Sequence, residues 1–325
     1  MILFTASPVN TSPAVQYAVK QEYSHRSGTF KHYLDLTKHR LCQLAGKPGA
    51  KCAILPGCGS LAVECAIRSF VRGDAIVYMS GHYSKRMVYA HGNKMMDAGR
   101  VEPGCVQLAH TVEEVKSKCF KDGWVLVCHN ETAKGQMTPL SKIIDVAHKA
   151  GAKVLVDAVS SFGSHPVDCR ADVICTCGNK CLESLCGSSI VIYNEELHHG
   201  FEWDILDVCM YADSIPSTLN VPAVMGLWHA IEKLDISHRE EQYKRRARMI
   251  RDGIKLPMKY TENLCNNVTT FKCDRETYNR IEARARVAGM QVYKYVDDYF
   301  LICNMGYGLD EHIPRLIEVV NDCIR

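Results

Sequence analysis

Residues 154–180 read VLVDAVSSFGSHPVDCRADVICTCGNK. A short apolar run ends in Asp157, a Ser/Gly-rich loop follows, and a second apolar run, Asp172-Val173-Ile174-Cys175, leads into Gly178-Asn179-Lys180. Apolar runs of this length between turn residues fit buried parallel strands better than helices. Each strand then presents a polar residue at its carboxyl end, where open α/β sheets place their ligands. Asp157 and Lys180, twenty-three positions apart, are placed to reach opposite ends of one flat ligand. Such a pair suits pyridoxal phosphate: the lysine amine condenses with the aldehyde, and the carboxylate keeps the pyridine nitrogen protonated so that the ring draws electrons. Strand-end acids are also common turn or cap residues and most lysines are solvated, so the pair read alone leaves both meanings open.

The 325 residues are enough for a large core and a smaller second domain. With 47% hydrophobic and 23% charged residues the composition is that of an ordinary globular protein. Thirty-nine Lys+Arg against 36 Asp+Glu leave a net charge of +3, which gives no general attraction for nucleic acid or an anionic membrane. No apolar run approaches the roughly 18 residues of a membrane span, and the N-terminus lacks a basic, leader-like start. The expectation is a soluble cytoplasmic protein. Seventeen cysteines, an odd number scattered along the chain, read as buried reduced thiols rather than as a disulfide framework. The densest group is Cys175, Cys177, Cys181 and Cys186, but there is no C-x-x-C pair and two of these lie in a predicted strand. No metal is expected.

Working outward, strands are predicted at 52–55, 75–79, 106–108, 125–129 and 189–193, alternating with helices at 13–23, 61–67, 81–96, 111–119 and 139–150. Pro139 and Gly151 punctuate the last of these. The alternation predicts a mostly parallel sheet with helices on both faces. Pro56-Gly57-Cys58-Gly59-Ser60, between a strand and a helix, aims backbone N–H groups at an anion, or is a simple tight turn. Beyond a polar stretch at 204–220, one long helix is predicted over 222–250, its charged residues forming a solvated face. Strands at 268–271, 290–295 and 300–303 with helices at 275–288 and 311–324 predict a small α+β unit. The expected division is a large α/β domain over 14–235 and a small domain over 236–325 together with 1–13.

Several stretches together resemble class V, fold-type I pyridoxal-phosphate aminotransferases, most closely the 2-aminoethylphosphonate:pyruvate and alanine:glyoxylate group. They are Thr5-Ala6-Ser7-Pro8-Val9, SHRSGTFKHYL (24–34), LPGCGSLAVECA (55–66), GHYSKRMVYA (81–90), HNETAKGQMTPL (129–140), VDAVSSFG (156–163), GNKCLES (178–184) and STLNVPAVMGL (217–227). The resemblance implies an aminotransferase for a small amino acid or aminophosphonate and a keto acid such as pyruvate, with pyridoxal phosphate as cofactor. It implies Lys180 as the catalytic lysine and Asp157 on the pyridine nitrogen. Tyr83 and Val159 would lie on the two ring faces, Gly59 and Ser60 on the phosphate, and Thr132 near the ring hydroxyl. Thr218 would reach the cofactor phosphate of a neighbouring subunit, which implies a homodimer with shared sites. Ser7 and Arg26 are the implied substrate contacts.

One position departs from the pattern. The family's C-terminal strand usually carries an arginine for the substrate's acid group, and Leu301 stands there. Leucine cannot imitate a two-pronged guanidinium. Either another cation substitutes, with Arg26, Arg86, Lys134 and Lys294 as candidates, or the substrate differs. A lyase on the same fold and a non-catalytic cofactor-binding protein are the alternatives; a cysteine desulfurase fits less well, because no cysteine-bearing catalytic loop is evident.

Overall fold

The computed structural model describes residues 1–97, 106–199 and 204–324. Seven strands form the central sheet, side by side in the order Lys51–Gly57, Gly187–Tyr193, Val173–Cys177, Lys153–Asp157, Trp124–Cys128, Ala75–Tyr78 and Val106–Ala109. The strand Gly187–Tyr193 runs antiparallel to both its neighbours, and the other pairings are parallel. Helices cover the sheet: Gly59–Phe70 packs on the strands Val173–Cys177 and Gly187–Tyr193, and Leu140–Lys149 on Lys153–Asp157. The strands Trp124–Cys128 and Val173–Cys177 are buried along their whole length, which is why they read as unbroken apolar runs.

The register sets the ligand end of the sheet. Asp157 lies opposite Cys128 on one side and Cys175 on the other, so the segments that follow these three strands leave the same edge. Parallel strands joined by crossovers always gather their carboxyl ends in this way.

A second core, with Phe4, Ile250, Phe271, Ile281, Phe300 and Leu316, forms beneath an antiparallel sheet of the strands Val268–Lys272, Tyr299–Cys303 and Tyr295–Val296. The strand Ile2–Phe4 pairs in parallel with Met290–Val292. A third cluster, including Ala6, Cys181, Tyr243, Val268, Leu301 and Cys303, ties the neighbour of Lys180 to the C-terminal strands.

Three local expectations change. The helix predicted over 222–250 is two, Val221–Ile231 and Ile236–Gly253, because the Asp235 carboxylate accepts from the N–H groups of Ser237 (2.8 Å) and His238 (3.1 Å) and starts a new helix. The strand predicted over 290–295 is two pieces in different sheets, and the first helix ends at Ala18. Helix Ile236–Gly253 is also more than a solvated face. Its residues Arg239, Tyr243 and Arg246 follow helical spacing and turn inward, with Tyr243 buried and Arg246 only 1% exposed.

Arg246 donates to Asp310 Oδ2 through Nε (3.0 Å) and Nη2 (2.6 Å), and through Nη1 to the carbonyls of Asn304 (3.1 Å) and Gly306 (2.9 Å). Asp310→Ala strips the counter-charge from this buried guanidinium and is expected to cost about 3 kcal/mol in urea denaturation. A loss below about 1 kcal/mol would mean that the two carbonyls suffice.

Candidate active site

The carboxyl edge of the sheet builds a cleft floored by Asp157 and walled by Ser60, Tyr83, Arg86 and Met87. Asp157 ends its strand, and its Oδ1 accepts the Val159 N–H at 2.9 Å, a short turn bond that fixes the carboxylate's aim. Burial raises the Asp157 pKa above the ordinary carboxylate value, opposed by the Val159 N–H and the charges of Lys180 and Arg86. Lys180 is itself buried, with its Nζ 5.4 Å from the centre of the Tyr83 ring.

Tyr83 stands in the first turn of the helix His82–Asp97. Its N–H donates to Glu131 Oε2 at 3.0 Å, so a buried carboxylate occupies the positive end of that helix. Burial raises the Glu131 pKa, while the N–H groups of Tyr83, Ala133 and Ser84 pull it down. Gly81 must be glycine for this arrangement, because a Cβ there would meet the Glu131 carboxylate at 2.7 Å.

Gly59 opens the helix Gly59–Phe70, whose N-cap Cys58 offers no side-chain hydrogen bond, so the first N–H groups lack a side-chain cap. A Cβ on Gly59 would meet Val159 Cγ1 at 2.5 Å, which places Val159 directly against this turn. Thr132 Oγ1 donates to Ser160 Oγ at 2.6 Å, and Asn179 Nδ2 donates to Ser7 Oγ at 2.6 Å. Lys180, Asp157, Tyr83, Gly59, Ser60, Thr132 and Val159 thus gather at one edge, with Ser7 joined through Asn179. Thr218 and Arg26 are both exposed, and Arg26 Nε donates to His25 Nε2 at 3.1 Å.

Of the four cations weighed as substitutes for the missing arginine, Arg86 lines the cleft, its guanidinium 5.9 Å from the Tyr83 ring centre. Lys134 donates to the Ser80 carbonyl and Lys294 is exposed over Tyr293. Leu301 is fully buried in the third cluster.

Several residues that hold the site escape sequence reasoning. The turn carrying Lys180 is closed by Glu183 N–H to the Lys180 carbonyl (2.9 Å) and Ser184 N–H to the Gly178 carbonyl (2.9 Å), with Glu183 in the left-handed region at φ 56°. Glu183 Oε1 accepts Tyr243 Oη at 2.8 Å and pairs with Arg239 Nη1 at 3.2 Å, and the same Nη1 donates to the Cys181 carbonyl at 3.0 Å. Helix Ile236–Gly253 therefore clamps the lysine turn from below. Glu131 and Glu183 lie inside the HNETAKG and GNKCLES motifs; the spacing of Arg239 and Tyr243 was the only local signal for them.

Burial pushes the Cys128, Cys175 and Cys177 thiols up, Cys177 to about 12, so they line the sheet end as protonated, apolar groups. The cysteines 175, 177, 181 and 186 are free thiols.

The profile of the aminotransferase class-V family matches residues 14–256. The chain belongs to the class-V aminotransferase family. A 2-aminoethylphosphonate–pyruvate transaminase of Paraburkholderia xenovorans is 28% identical over 202 residues, 58% of this chain and 51% of the relative. A second, of Burkholderia lata, is 27% identical over 281 residues, covering 78% of this chain and 73% of the relative. The chain spans about half the length of most of the curated relatives it matches. The fold is also that of pyridoxamine–pyruvate aminotransferase from Mesorhizobium loti (TM-score 0.86, 21% identity, 99% of this chain and 91% of that one). Alanine–glyoxylate aminotransferase from Nostoc sp. gives a TM-score of 0.84 at 18% identity, covering 100% of this chain and 95% of the other.

Family membership implies pyridoxal phosphate, and the residues present fit it. A buried carboxylate with one oxygen tied back suits a protonated pyridine nitrogen, an uncapped helix N-terminus suits a phosphate, and a buried lysine beside an aromatic face suits an aldehyde.

Two buried histidines flank the site. His165 donates from Nδ1 to the Ser164 carbonyl (2.7 Å) and accepts the Asn266 N–H at Nε2 (3.2 Å), which fixes the neutral tautomer. Burial lowers His129 to about 3 and His165 to about 4 from the ordinary 6.5. The unfolded chain binds more protons below pH 6.5, so this stability is complete above that value and is lost on acidification. Lowering the pH from 7 to 5 is expected to cost about 2 kcal/mol per histidine in urea denaturation, and His165→Gln to flatten the slope. An unchanged slope in that variant would count against the buried neutral imidazole.

Proposed function

We propose that this chain is a pyridoxal-phosphate-dependent aminotransferase that moves an amino group from a small donor, of the 2-aminoethylphosphonate kind, to a keto acid such as pyruvate. Asp157 and Tyr83 lining one cleft, with Lys180 Nζ 5.4 Å from the Tyr83 ring centre and a helix N-terminus without a side-chain cap beside them, support this reading. Bound there, pyridoxal phosphate supplies an electron sink for charge that develops on the donor's Cα. Lys180 Nζ would hold the cofactor's aldehyde end and would move the proton at the donor's Cα as general base. Asp157 keeps a proton on the pyridine nitrogen, a task its buried, anchored carboxylate suits. Gly59 and Ser60 would bind the phosphate through N–H groups at the helix start, Tyr83 and Val159 would pack on the ring, and Thr132 would bind its hydroxyl. Arg86 receives the donor's acid group, as the cation that lines the cleft. Ser7, held by Asn179, lies at the substrate side.

The active form in this reading is a cytoplasmic homodimer in which the exposed Thr218 reaches the partner's phosphate site. Residues 14–235 form the cofactor domain, and 236–325 with 1–13 the smaller domain. No described helix is long and apolar enough to cross a membrane. A second reading, elimination on the same fold, is favoured by one observation: Leu301 is fully buried and offers no charge to a second acidic substrate.

Purified protein with added pyridoxal phosphate is expected to show the visible absorbance of lysine-bound cofactor, lost in Lys180→Ala. A wild type that stays colourless would end the cofactor reading. Donor screening with 2-aminoethylphosphonate, alanine, serine and glutamate is expected to convert the cofactor to its amino form, whereas ammonia release without amino transfer would establish elimination. Arg86→Gln is expected to raise KM for the acidic donor about tenfold or more while leaving cofactor absorbance in place; an unchanged KM would move the acid-binding role elsewhere.

A further inference from the structure

Outside the cleft, His199, Asp207 and Cys209 bring one ligating atom each to within 4.8 Å of one another. His199 follows the short helical turn Glu195–Leu197, Asp207 is the N-cap of the helix Val208–Asp213, and Cys209 lies in that helix's first turn. His199 Nε2 is 3.8 Å from Asp207 Oδ1. We propose that these three residues form a zinc site that fastens the segment after the last sheet strand to the helix Val208–Asp213.

The geometry is close to what tetrahedral zinc requires. Bonds of roughly 2.0–2.3 Å set neighbouring ligand atoms roughly 3.3–3.8 Å apart, so closing the group takes a movement of about 1.5 Å at most. His199 can supply it, since its side chain is 39% exposed while that of Asp207 is 8%. A nitrogen, an oxygen and a sulfur are a zinc-like donor set. An ionised carboxylate, a thiolate and a neutral imidazole together balance a divalent cation.

The surroundings support the ligands. Cys209 N–H donates to Asp207 Oδ1 at 3.0 Å, and the Phe70 ring packs edge-on against the His199 imidazole at 6.2 Å. Hydrogen bonds of this kind orient metal ligands and tune them. A solvent-open cavity lined by Arg68, Ser69, Arg72, His199, Asp204 and Asp207 leads to the group, giving an entry path and room for a water as fourth ligand. The Arg68 guanidinium on the same rim is paired with Asp204 at 3.3 Å. A cap and a core thiol account for Asp207 and Cys209 one at a time, but not for an imidazole meeting both. Binding forms the metal–sulfur bond and releases the thiol proton to solvent. The helix so fastened packs on the edge strand Lys51–Gly57.

The test is cobalt(II) titration of the full-length protein after chelator treatment, read by the thiolate-to-cobalt charge-transfer band and the visible bands of tetrahedral cobalt. One equivalent is expected to bind, and zinc to displace it. Cys209→Ser is expected to abolish the charge-transfer band. Asp207→Asn, which keeps the helix cap, and His199→Ala, which changes an exposed side chain, are expected to weaken binding by more than the roughly 10–100-fold typical of losing an outer hydrogen-bond partner. No thiolate–cobalt band in the wild type would overturn the proposal. So would a band of equal strength and affinity in His199→Ala, which would put the metal on other cysteines; this surface variant decides the matter even if Cys209→Ser does not fold.

Discussion

The alignment of three strand ends, with Asp157 held between Cys128 and Cys175, is the constraint from which the cleft follows. Each strand end is fixed by the ladder on either side, so the segments after 128, 157 and 177 must leave together. Glu131, Val159 and Lys180 are then neighbours because of the register, whatever their distance along the chain. A one-residue slip would turn every side chain of a strand to the opposite face, and burial on both faces forbids it. Precision at the cleft is thus borrowed from the best-packed part of the core.

On this frame the site sets its charges by burial. Asp157 and Glu131 are buried carboxylates, each held by backbone N–H groups that compensate part of the lost hydration. The thiols beneath them are kept protonated by the same burial and contribute surface without charge. Lys180 is clamped from the other side, through Glu183, by Tyr243 and Arg239 of a helix about sixty residues later in the chain. The C-terminal part therefore does more than cover the sheet: it holds the turn that carries the lysine.

The wall proposed to meet the substrate's acid group is a different one. Leu301 belongs to the cluster that joins Cys181 to the C-terminal strands, and an arginine there would have to be buried among apolar neighbours or displace them. The cation lining the cleft is Arg86, on the helix that also carries Tyr83. One helix therefore presents both the aromatic face and the cation, and the buried Glu131 at its start governs where both point.

The sequence by itself determined the strand–helix alternation and pointed to the carboxyl edge and to Asp157 and Lys180 at its strand ends, because these depend on apolar runs and turn residues that are contiguous in the chain. Gly59, Ser60, Tyr83, Thr132 and Val159 were implied by the resemblance of contiguous motifs to the family. The break at Asp235 needed a cap bond that competes with helical periodicity, and the inward face of Arg239, Tyr243 and Arg246 looked like a solvated charge run because burial is not written in composition. Tertiary structure alone decided that Glu183 holds the lysine turn, that Arg86 rather than Lys134 or Lys294 lines the cleft, and that His199 meets Asp207 and Cys209. Each is a meeting of side chains from separate elements, and only the packing of the helices on the sheet brings such groups within bonding distance.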